Sequence, residues 1–234
     1  MAGLTHQVWM QFREFIMLFL AVFCGFLAEN YREDRQEEEM ARGYLKSMVM
    51  DLQRDSTQLE QMLRLTRKTS QATDSLRSEL LSNRIETNSI PAYKLLFKTF
   101  GFDDFAPNDG TMEQLKHSGS LRFIEEKRIV DGIMAYQESH TPLKIHEATM
   151  NQELTEVVKL RQNFDLIGLN KTNFTAPIPL LNSDRESINR FFERVEIWLL
   201  YLGRLEDLQE NVLKKGKEVK EAILKNHPSI LIED

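Results

Sequence analysis

Helix-breaking residues are scarce in this sequence, which has 6 Pro and 10 Gly among 234 residues. Residues 31–82 hold no Pro and a single glycine, Gly43. That scarcity, with abundant Leu, Glu, Lys, Arg and Gln, favours long helices over sheets. Cysteine is nearly absent too. Cys24 stands alone, which excludes an intrachain disulfide and a cysteine-based zinc site and leaves the redox compartment open. Positive excess is also missing: a net charge of −6 argues against a general nucleic-acid binder, which carries a basic surface. At 41% apolar residues the chain still has enough for a packed core, in one large domain or two small ones.

Chemical motifs are missing as well. No glycine-rich phosphate loop, Gly-x-Ser-x-Gly elbow or His-Glu-x-x-His helix occurs. A Glu-rich bundle invites a carboxylate di-iron site, but that site needs paired Glu-x-x-His motifs and the sequence has none. His140 and His146 stand six apart, too far around a helix to share a metal easily, and Pro142 lies between them. His117 falls at a helix end, where it favours the dipole. No catalytic residue, cofactor or metal is therefore assigned.

What is present is an apolar run, FIMLFLAVFCGFLA, at residues 15–28. Its 14 uncharged residues are short for a membrane span, which takes about 20. An export signal fits poorly. Arg13 is the only Lys or Arg before the run, cutting after Ala28 puts bulky Phe26 at −3, and Phe23 precedes Cys24 where a lipoprotein needs a small residue. A buried core helix usually keeps a polar face, and this run has none. Read upstream as residues 8–28, with Trp9 and Tyr31 as interfacial aromatics, the segment becomes a transmembrane helix. From Trp9 to Tyr31 a helix rises about 33 Å, close to the hydrocarbon thickness. Arg13 then snorkels to the headgroups, and Glu14 is protonated or paired there. Ala21, Gly25 and Ala28 share one face, where small side chains let a second helix approach. Arg32, Arg35, Arg42 and Lys46 after the span favour a cytoplasmic domain, but interleaved acids blur the asymmetry and the side stays open.

Beyond the run, REDRQEEE alternates in sign as a solvated helical stalk does, and nothing before Met40 stops the helix. A 3-4 spacing then carries Leu45, Met48, Leu52, Leu59, Met62, Leu76 and Leu80. Asp55, Thr66, Thr69 and Thr73 interrupt it as polar layers. Asp55 with Thr66 and Thr69 reads as a hydrogen-bonded layer that fixes register, or else as the lining of a polar pocket. SNRIETNSIPAY reads as a turn, and Tyr93, Leu96, Phe97 and Phe100 follow at helical spacing. GFDDFAPNDG is a loop whose Phe102 and Phe105 tuck onto the core. Thr111 and Gln114 form a capping box for a short helix ended by Gly119. Helices are expected over 121–137 and 143–167, kinked or divided at Pro142. The longest loop, GLNKTNFTAPIPLLNSD, carries chance N-x-T triplets at Asn170 and Asn173. Ser183 and Glu186 form a second capping box, opening a helix with a seam from Ile188 to Ile223 that ends at His227 and Pro228.

The fold class is all-α: an N-terminal transmembrane helix (1–30) continuing into an antiparallel bundle of long helices (31–228), with a small helical insert at about 90–120 and a tail at 229–234. REFIMLFLAVFCGFLAENYREDRQEEEMARGYLKSMVMDLQRD resembles the start of an uncharacterised family of bacterial single-pass membrane proteins, and TMEQLKHSGSLRFIEEKRIVDGIMAY resembles a second segment of that family. The resemblance implies a bacterial inner-membrane protein with a helical extramembrane domain and no known activity. The expected function is a non-enzymatic, membrane-anchored scaffold or protein-interaction module. Its partners are the lipid bilayer and a second copy or another membrane protein, without nucleic acid. The alternative is a membrane-anchored sensor, with a small ligand held between helices near Asp55 and Thr66.

Overall fold

The structure is a computed structural model that describes residues 2–82, 89–172, 176 and 178–231, with the side chains of 2–8, 10, 11, 160 and 231 left aside. The turn expected at 83–88, the Asn173 triplet and the last residues of the tail lie outside the described residues.

Among the described residues six α-helices follow one another: α1 (Ala2–Leu81), α2 (Ile90–Leu96), α3 (Gly110–Ser118), α4 (Lys127–Lys159), α5 (Leu166–Thr172) and α6 (Arg185–Asn226). Short 3-10 turns occupy Ser120–Phe123, Leu160–Asn163 and Pro228–Leu231. Among the described residues, one isolated antiparallel bridge, between Phe164 and Leu180, is the extent of the β structure. The chain is thus all-helical and bundle-like.

With no breaker inside it, α1 runs 80 residues without interruption, roughly 120 Å at 1.5 Å per residue. Residues 12–40 are exposed throughout. Burial begins at Ala41 and then follows the 3-4 seam through Leu45, Met48, Leu52, Leu59, Leu76 and Leu80. The bundle therefore starts some ten residues after the boundary at 31 expected from the sequence. Among the described residues, no helix is long and apolar enough to cross a membrane. The uncharged run in α1 is closed by Glu14 and Glu29.

The central element is α6. Its seam residues Phe191, Val195, Trp198, Leu202, Leu205, Val212, Val219 and Ile223 are all buried. Against α1 it runs antiparallel in a single register, with Lys220 on Gln53, Lys217 on Glu60, Gln209 facing Thr66 and Glu206 on Arg67. Against α4 it is antiparallel too: Lys215 bonds the Ala135 carbonyl, His146 meets the Tyr201 carbonyl and Arg194 lies near Glu153. It follows that α1 and α4 point the same way, on either side of α6. Close approach at their shared level needs a glycine. A Cβ on Gly216 would sit 3.1 Å from the Tyr136 ring and 3.7 Å from Leu52.

Several local expectations are corrected. Thr111 does not cap α3; Asp109 holds the N-cap position without a side-chain bond, and the Thr111 hydroxyl donates to Asp51 on α1. Asp184, not Ser183, caps α6, its Oδ1 accepting the Ser187 N–H at 2.9 Å. The helix expected at 121–137 starts only at Lys127, because Ser120–Phe123 form a 3-10 turn and Ile124 is extended. Pro142 neither divides nor ends α4, which continues to Lys159; packing along α6 holds the helix through the missing N–H. The expected helix end at 167 and the start of the long loop are replaced by a 3-10 turn and α5.

Candidate functional site

The polar residues on the core faces of the long helices converge on one segment. Residues 97–109 contain no regular helix, so their backbone groups need other partners, and buried groups left unpaired are costly. All three long helices supply them. From α6, the indole N–H of buried Trp198 donates to the Thr99 carbonyl at 2.8 Å. From α1, Thr69 donates to the Gly101 carbonyl at 3.0 Å. The Gln58 amide, turned so that its nitrogen faces the Ala106 carbonyl and its oxygen the Ala106 N–H, adds contacts of 3.0 and 3.3 Å. From α4, Glu147 accepts the Phe105 N–H at 3.0 Å, and Asn151 reaches both carboxylate oxygens of Asp104 at 3.0 Å. The segment lies as a strap between α1 and α4, with Phe102 against Trp198 and Phe105 edge-on to His140.

Asp55 is the anchor of the strap. It is 2% exposed, and its Oδ1 accepts the Asn108 backbone N–H at 2.9 Å and the Asn108 side-chain amide at 2.7 Å. Its Oδ2 accepts the Tyr136 hydroxyl at 2.7 Å. Next to this, the Asp109 carboxylate stands 4.0 Å from Nδ1 of His140, whose ring packs on Tyr136. Burial and the Asp55 carboxylate hold the Tyr136 phenol protonated far above its usual range. Burial pushes His140 down, opposed by Asp109 and Asp55. Asp109 is pushed up, first by burial, against the attraction of His140. Burial also lifts Glu147 to about 7, with the Phe105 N–H acting against it and Asp104 adding to it.

The space left at this cluster is about 10 Å³, bordered by Met48, Asp55, Asn108, Tyr136 and His140. That is room for one water at most. Among the described residues, no group of three or more His, Cys, Asp or Glu side chains is placed to hold a metal ion. The cluster is a clamp in which both Asp55 oxygens are occupied, while Nε2 of His140 is buried without a partner among the described residues. A larger cleft of about 570 Å³ opens where α1 enters the bundle, lined by Asp34, Glu37 and Arg42 on one side and Arg122, Glu126 and His227 on the other.

Asp55, Thr66 and Thr69 are each buried, but they are not brought together. Thr66 lies three turns from Asp55 on α1 and donates to Gln209 on α6 at 3.0 Å. Thr69 serves the strap, and Thr73 returns its hydroxyl to the Thr69 carbonyl. Trp9, Arg13, Glu14 and Tyr31 are exposed along the free part of α1, where Arg35 donates to the Tyr31 hydroxyl at 3.0 Å. Ala21, Gly25 and Ala28 are exposed with them, and nothing lies within 4 Å of a Cβ built on Gly25. Sequence reasoning missed Tyr136, Glu147, Asn151 and Gln209. One signal for Glu147 was available: it continues the 3-4 line of Ile133, Tyr136, Leu143 and Met150, where an acid needs a donor.

No protein-family model, curated protein or solved structure matches the chain.

Proposed function

We propose that this protein is a non-enzymatic, membrane-anchored helical scaffold that carries its bundle on a rigid stalk for interaction with other proteins. The observation that carries this reading is the first half of α1. Phe15, Met17, Leu18, Phe19, Val22, Phe23 and Phe26 point outward around the helix, and among the described residues no other helix packs on them. A single helix in water does not keep so large an apolar surface uncovered. Hydrocarbon covers it on every side, with Trp9 and Tyr31 at the two interfaces and Arg13 reaching back to the headgroups. The resemblance at the start of the chain supports a bacterial inner membrane as that bilayer. The remainder of α1 carries the far end of the bundle, at Leu81, about 75 Å from Tyr31.

The two occupied oxygens of Asp55 and the space of only about 10 Å³ beside it favour a scaffold over a small-molecule sensor. Carbonate extraction of membranes holding the full chain tests the anchor. Retention in the pellet is expected, and release into the supernatant overturns the reading.

A further inference from the structure

We propose that the strap is a proton-operated latch: protonated Glu147 holds residues 101–109 against α4, and its ionisation lets the strap lift and uncover Phe102 and Phe105. The geometry sets this up. Glu147 is 3% exposed, and among the described residues its one hydrogen-bond donor is the Phe105 N–H. A buried carboxylate with one donor is poorly compensated once charged, whereas its neutral form still accepts that N–H through the carbonyl oxygen. The neighbouring charge makes ionisation harder still. Asp104 is the next residue along the strap, it acts on Glu147 with the same sign, and Asn151 holds it in place. Lifting the strap relieves both costs at once, since Glu147 then faces water and parts from the exposed Asp104 carboxylate.

The other ionisable groups at this level are accounted for. On α6, Arg194 is taken by Glu153, and the Tyr201 carbonyl meets His146. On α1, the strap is met by the neutral Thr69 and Gln58 and by Asp55, whose oxygens are bonded to Asn108 and Tyr136. On α4, His140 packs edge-on to Phe105 and faces Asp109. Burial favours its neutral form, so acid acts on His140 in the opposite sense. For Glu147 the closed strap raises the affinity for the proton. Its contribution to closure is complete below the ordinary glutamate range and is lost as pH rises toward about 7.

Hydrogen exchange of the amides at 103–108, corrected for intrinsic rates and followed from pH 5 to pH 8 on the full chain in detergent, tests the latch. In the native chain the strap's opening constant is expected to rise by about tenfold or more across that range, and in Glu147→Gln by less than about twofold. Identical profiles in the two proteins overturn the proposal. Should Glu147→Gln fail to fold, two measurements remain. Asp104→Asn removes the like charge and is expected to shrink the rise of the opening constant between pH 5 and pH 8; an unchanged rise counts against the latch. Carboxyl NMR of Glu147 in the native chain is expected to titrate well above the ordinary range, and a midpoint under about 5 sinks the idea.

Discussion

Asp55 on α1 and Tyr136 on α4 are joined by a 2.7 Å hydrogen bond across 81 residues of sequence, with Gly216 of α6 closing on the same ring. The bond links two helices that both pack on α6, at the level where the strap is tied down by Asn108. Asp55 therefore belongs to the packing of the bundle as well as to the backbone of the strap.

Removing the phenol hydroxyl isolates that link. Tyr136→Phe leaves Oδ2 of Asp55 buried without its donor while Asn108 still holds Oδ1. A loss of about 1–3 kcal/mol is expected in urea denaturation, and Asp55→Asn combined with Tyr136→Phe should lose less than the two single losses added. Additive losses would mean that the two side chains do not act as a pair.

The Thr66–Gln209 pair behaves differently. Gln209 is fully buried, its Oε1 accepts from Thr66 and its Nε2 has no partner. Thr66→Val alone strands the rest of the amide and should cost about 1–3 kcal/mol. Thr66→Val with Gln209→Leu replaces both polar groups by apolar ones of similar shape. That double variant should recover most of the loss, or exceed the native stability, in the same denaturation assay. A double variant as unstable as the single one would show that the pair contributes more than its desolvation costs.

The free part of α1 should be dispensable for folding. Burial begins at Ala41, and residues 12–40 are exposed. A chain starting at Glu39 is expected to melt within about 3 °C of the native chain by circular dichroism, a shift corresponding to roughly 1 kcal/mol. It should also remain in the supernatant after carbonate treatment. A large drop in melting temperature would show that the stalk stabilises the bundle.

Periodicity made the long helices readable. Leu45, Met48, Leu52, Leu59, Met62, Leu76 and Leu80 are buried where the 3-4 spacing placed them, and the lack of breakers correctly implied one continuous α1. The same spacing marked Asp55, Thr66 and Thr69 as polar positions on a core face, yet it said nothing of what they would meet. Their partners lie 53, 143 and 32 residues away. Such pairings depend on how the helices and the strap are arranged in space, which local patterns do not encode. Helix ends failed for a local reason. Thr111 and Ser183 match the capping pattern, but Thr111 is drawn to Asp51, and Asp184 stands one residue closer to the first turn of α6.

The pairing of α1 with α6 also sets an order of events. Helix α1 finds its main partner in α6, across a separation as long as the 167 residues between Gln53 and Lys220. Contacts so distant in sequence form late and slow the search for the native state. During synthesis the seam of α1 stays uncovered until α6 has emerged. The bundle is thus completed by α6, and until then α1 is a helix with an uncovered seam.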